Sequence, residues 1–185
     1  MTLYKLPFKQ LLLIAAVMES VSISAAFLLF NDLEAWQMAT RFTGRASLLF
    51  FTGFFLLSAG SHPARPVLLN WSAIFATMHL IHFAFIVTYN SLKGGFPVTF
   101  KLAGGITAYV IIGLLPVFSA VKPPGPGTLS AALHFVLLIF ALTYASRLFL
   151  EPVPGFSPVE GWIGFVWCFL LAGAGWRLRA QREPD

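Results

Sequence analysis

Charge is scarce in this chain: only 10% of its 185 residues are Asp, Glu, Lys or Arg, while 58% are hydrophobic. Soluble domains carry about 25% charged and about 45–50% apolar residues, so too little is left here to build a water-facing surface. Cysteine is nearly missing. The lone Cys168 sits in an apolar segment, which excludes an internal disulfide and any cysteine-based zinc or iron–sulfur centre. No Gly-x-Gly-x-x-Gly follows a strand pattern, and the apolar runs leave no room in the chain for a flavin or nicotinamide domain. No repeat with a period of about 20–50 residues is visible. Disorder is excluded in turn, because twenty Phe and five Trp are more apolar surface than a solvated chain tolerates.

What remains is a membrane protein. A hydrocarbon core about 30 Å thick needs about 20 mainly apolar residues per helix, so this length allows six spans in a single transmembrane domain. The apolar runs are Leu11–Phe30, Phe42–Ala59, Val67–Tyr89, Leu102–Val121, Leu129–Leu148 and Gly161–Trp176. Between them stand Asn31-Asp32, the Gly60–Pro66 stretch, Gly94-Gly95-Phe96-Pro97, Pro123–Gly127 and Pro152–Pro158, all of them helix breakers. The runs lack period-two alternation, which argues against a barrel and leaves an all-α bundle. The last run covers only about 24 Å at 1.5 Å per residue, so it is expected to recruit flanking residues. Lys5 and Lys9 before Leu11–Val17 resemble a signal peptide, but the apolar run resumes at Ala25–Phe30 and an uncleaved first helix is expected.

The net charge of +5 is spread over the ends of the runs and forms no patch, so the expected partner is the lipid bilayer and not nucleic acid. Lys and Arg on alternate sides set the orientation. Lys5, Lys9, Arg65, Lys122, Arg177, Arg179 and Arg182 fall on one side, and Arg41, Arg45, Lys93, Lys101 and Arg147 on the other. The larger set predicts that both termini are cytoplasmic. Trp36, Trp71, Trp162 and Trp176, near span ends, are expected as interfacial anchors.

Ionisable groups inside a span are expensive and ask for a partner or a task. His79 and His82 lie in the third span, three residues apart and therefore neighbours on one helix face. His134 lies in the fifth. Neutral imidazole ligates haem iron, and a haem bridged between the third and fifth spans is the sharpest reading of this set. Two others stay open: histidines that hydrogen-bond across helices or line a polar pocket, and a His-x-x-His metal-transport site, which lacks a nearby carboxylate. Glu19 stands deep in the first run among Ser20, Ser22 and Ser24, a stripe that reads as helix packing or as a proton path. Gly104-Gly105 reads as close helix packing.

The stretch Thr43-Gly44-Arg45-Ala46-Ser47-Leu48-Leu49-Phe50-Phe51, then Arg65, the run to His79, and Leu133-His134-Phe135-Val136-Leu137-Leu138 resembles the ferric reductase-like transmembrane domain family, in particular its small bacterial haem-binding members. The resemblance covers residues 40–150. It implies a b-type haem with His79 and His134 as axial ligands to iron, His82 close by, and electrons crossing a bacterial inner membrane. The donor would be a separate reductase or quinol, and the acceptor a partner on the outer side. The chain departs from the family at Arg147, where a second fifth-helix histidine is usual; His82 and His62 are the available substitutes. Counted from the predicted inner ends of their runs, His79 and His134 differ by about 10 Å in depth, which tilt or a fifth helix starting near Gly125 would reduce. Arg147 and Glu151 are expected near the outer end of the fifth span, where an ion pair, a propionate contact or simple snorkelling would serve. The alternative from a different class is a cofactor-free multi-span protein, either a small-solute transporter or a structural subunit.

Overall fold

A computed structural model describes residues 6–61, 63–95, 100–122, 124–149 and 157–182. They form six helices: α1 (Phe8–Leu29), α2 (Asp32–Gly60), α3 (Arg65–Leu92), α4 (Phe100–Val121), α5 (Pro126–Phe149) and α6 (Pro158–Arg182). Five are long and apolar enough to cross a membrane; in α4 the apolar stretch Gly105–Val121 is shorter. By helix length and hydropathy the chain is an all-α integral membrane protein.

The helix ends follow local chemistry. α3 has Pro66 in its first turn, and α5 and α6 begin at Pro126 and Pro158, where proline's missing N–H costs nothing. Asp32 and Glu34 in the first turn of α2, and Glu160 in that of α6, complement the helix dipole. α3 stops at Gly94 and Gly95, both at positive φ (108° and 122°), a conformation open to residues without a Cβ. There the Gly95 N–H reaches back to the Asn90 carbonyl at 2.9 Å.

Most helices are longer than their apolar runs. α2 starts ten residues before Phe42, so Arg41 and Arg45 lie inside a helix and not at its mouth. α6 extends past both ends of Gly161–Trp176, which supplies the length that run lacked. α5 begins at Pro126, three residues ahead of Leu129. α4 carries Pro116 in its interior, which deprives that turn of one backbone N–H.

The described residues cluster into two compact units. One holds α1, α2 up to Phe54, α3 and α4; the other holds residues 55–60 of α2 with α5 and α6. In the first unit, aromatic rings run in antiparallel order along α2 and α3. Phe54 stacks on Trp71, Phe50 lies 4.9 Å from Trp71, Phe51 lies 5.2 Å from Phe75, and Trp36 lies 5.7 Å from Phe85. Trp71 is therefore core and not an interfacial anchor, in contrast to the exposed Trp162 and Trp176. α3 also packs on α1 and α4, and Arg65 Nε donates to the Ser119 carbonyl in the last turn of α4 (3.3 Å). In the second unit α5 packs on α6, with the Tyr144 ring seated over Gly164 and Phe55 over Gly175.

Outward faces carry Leu12, Leu13, Val17, Val21 and Leu28 on α1, Val110 and Val117 on α4, and Ile163 and Leu170 on α6. Helix faces with exposed large apolar side chains in these numbers suit lipid, not water.

Candidate functional site

Between the aromatic pairs Phe51–Phe75 and Trp36–Phe85, the α2–α3 seam turns polar. Ser47 Oγ lies 2.8 Å from His79 Nδ1, and Thr43 Oγ1 lies 3.2 Å from His82 Nδ1. Hydroxyls four residues apart on α2 thus meet imidazoles three residues apart on α3, because i, i+4 and i, i+3 both return to one helix face. His79 and Ser47 both sit close to the midpoints of their helices, where water is least able to satisfy a polar group.

His79 is buried, with 5% of its surface exposed. Its ring lies against Tyr109 of α4 (centroids 4.6 Å apart), Phe75 (5.6 Å) and His82 (5.6 Å). His82 is half-buried and packs over Gly44, where a Cβ would come within 2.8 Å of His82 Cε1. The Gly44 of the Thr43-Gly44-Arg45 sequence therefore clears space for an imidazole.

Hydrogen-bond direction fixes one ring's tautomer. Thr43 has one hydroxyl proton, which it donates to the Ala39 carbonyl at 2.8 Å. Toward His82 it can only accept, so Nδ1 of that ring carries the proton and a neutral His82 holds its lone pair on Nε2. His134, in the second unit, also donates from Nδ1. Its Nδ1 lies 2.8 Å from the Ser130 carbonyl, an acceptor only, so Nδ1–H donates. His134 is half-buried and packs edge-on against Phe55 at 4.9 Å.

Of the sequence-predicted residues, His79 and His82 are therefore brought together, and His134 stands on α5 in the other unit. His62, Glu151 and the Arg147 side chain lie outside the described residues. Gly105 meets open space where close packing was expected. Ser47, Thr43 and Tyr109 were missed as partners of the histidines. The available signal was the Thr43/Ser47 spacing on α2, which matches His79/His82 on α3.

Imidazoles anchored through Nδ1 suit coordination through Nε2, since metal-ligating histidines almost always donate the other ring N–H to a carbonyl, carboxylate or water. Among the described residues no group of three or more His, Cys, Asp or Glu is arranged to hold a metal ion. An imidazole that donates from Nδ1, as His82 and His134 do, is of the type that can offer Nε2 to a metal centre. No family model matches the chain, and neither the curated proteins nor the solved structures yield a match.

Proposed function

We propose that this membrane protein binds b-type haem through histidine Nε2 atoms, with His79 and His134 as axial ligands and His82 beside His79, and passes electrons across the bilayer to or from partner proteins. One observation carries the reading: all three imidazoles are anchored through Nδ1, on Ser47, Thr43 and the Ser130 carbonyl. A donating Nδ1–H, as at His82 and His134, usually accompanies ligation through Nε2. Bound there, haem would supply a one-electron couple. The chain's own residues would orient the imidazoles, with Phe75 and Tyr109 shielding His79 from water and Phe55 shielding His134. Electrons would come from a separate reductase or from quinol, and leave to a partner on the outer side. Both termini would then be cytoplasmic, in a bacterial inner membrane.

The test is a reduced-minus-oxidised absorbance spectrum of the purified full-length chain, expressed with haem supplied. A Soret band and a sharp visible band are expected, and both should be lost in His134→Ala. A colourless wild-type preparation would end the proposal.

A second reading rests on the same seam. The Ser47–His79 and Thr43–His82 pairs give both imidazoles hydrogen-bond partners without any cofactor, as polar glue between helices would. The chain would then be a cofactor-free multi-span protein, a small-solute transporter or structural subunit. Replacing His79 would lower thermal stability while no spectrum changed.

A further inference from the structure

Among the described acidic residues, Asp32, Glu34 and Glu160 stand in the first turns of helices, where water and the helix dipole receive them. Glu19 does not. It stands at the middle of α1, eleven residues from Phe8 and ten from Leu29, with 5% of its surface exposed. It belongs to the stripe Leu11, Ala15, Glu19, Ala26 that α1 turns inward, and α1 packs on α3. Neither Oε1 nor Oε2 has a hydrogen-bond partner among the described residues.

A carboxyl that cements helices would bond across the seam, as Ser47 and His79 do; one that snorkels would be exposed. Glu19 does neither. Titratable and charged groups on the elements packed against α1 are Arg65, His79, His82 and Tyr89 of α3, and Asp32, Glu34, Arg41 and Arg45 of α2, which meets α1 through Phe27–Trp36 and Phe30–Phe42. None of them bonds to Glu19. A carboxylate with no donor is a state that such a site cannot hold, so the group carries its proton while α1 is seated. Ionisable residues kept inside a membrane despite this cost mark ion and proton pathways.

We propose that Glu19 is a proton-exchange site within the membrane. Its carboxylate takes one proton from water to form the neutral acid as α1 seats on its neighbours, and returns that proton to water when the helix loosens. No oxidant or cofactor takes part, so the proposal is independent of the haem reading.

The test uses dicyclohexylcarbodiimide on the full chain in phospholipid vesicles. A buried protonated carboxyl gives its proton to a carbodiimide nitrogen as its oxygen adds to the central carbon, and an O-to-N acyl shift leaves a stable N-acylurea. One adduct is expected, mapped by mass spectrometry to Glu19, while Asp32, Glu34 and Glu160 react instead with a water-soluble carbodiimide. In Glu19→Gln the adduct should vanish, and in the wild type its yield should fall as the pH is raised, because only the protonated carboxyl reacts. The labelling of wild-type protein needs no variant to fold. The proposal is overturned by an unlabelled Glu19 beside reactive surface carboxyls, or by a Glu19 adduct whose yield does not change with pH.

Discussion

Ser47 Oγ and His79 Nδ1 lie 2.8 Å apart at the centres of α2 and α3, both residues buried, so the polar contact on this seam is made where the surroundings are driest. Hydrogen bonds between transmembrane helices contribute about 0.6 kcal/mol on average and at most about 1.7 kcal/mol. A double-mutant cycle of Ser47→Ala and His79→Phe, read by unfolding in detergent, should give a coupling in that range. A coupling near zero would show that the pair is proximity without attraction.

Gly44→Ala should disturb His82 selectively. The new methyl would sit within 2.8 Å of the ring, so either the imidazole or the α2–α3 spacing must yield. Overpacking of this kind costs about 1–3 kcal/mol. The melting temperature should fall, and His82→Ala in the same background should restore most of the loss by vacating the space.

Ser130→Ala and His134→Ala should part company. The bond that fixes the His134 tautomer ends on the main-chain carbonyl of residue 130, at 2.8 Å, while the hydroxyl lies farther, at 3.3 Å. If His134 ligates haem, Ser130→Ala keeps the absorbance spectrum and His134→Ala abolishes it. Equal loss in both would place the hydroxyl, and not the carbonyl, in control of the ring.

Two glycines of α6 should respond in opposite directions. At Gly164 an added Cβ meets the Tyr144 ring, whereas at Gly173 it meets nothing within 4 Å. Gly173→Ala should stabilise by about 0.5–1 kcal/mol through the helix interior's preference for alanine. Gly164→Ala gains the same term but loses more to overlap, about 1–3 kcal/mol, and should unfold earlier in a thermal scan.

The six helices were legible because each apolar run is bounded by residues that stop a helix for stated chemical reasons. Their lengths were less so. Asp32–Arg41 is too polar to read as part of a span, yet Leu33, Glu34, Ala35, Gln37 and Met38 are strong helix formers, and α2 continues through them. Trp71 looked like an anchor from its place near a run's end; only the register of α2 on α3 reveals that Phe50 and Phe54 enclose it. The histidines could be found from composition alone, since ionisable groups stand out in an apolar run. Their partners could not, because Ser47 and Thr43 lie 32 and 39 residues away and meet them only through helix pairing.

The link between α1 and α2 is only Phe30 and Asn31, pinned on either side by Phe27 against Trp36 and Phe30 against Phe42. So short a link leaves no slack between the two helices, so a shift of α1 at that end has to be shared by the start of α2. Glu19 lies eleven residues from Phe30, about three helical turns from this link, so its depth is set by where the Phe27–Trp36 and Phe30–Phe42 contacts hold the helix.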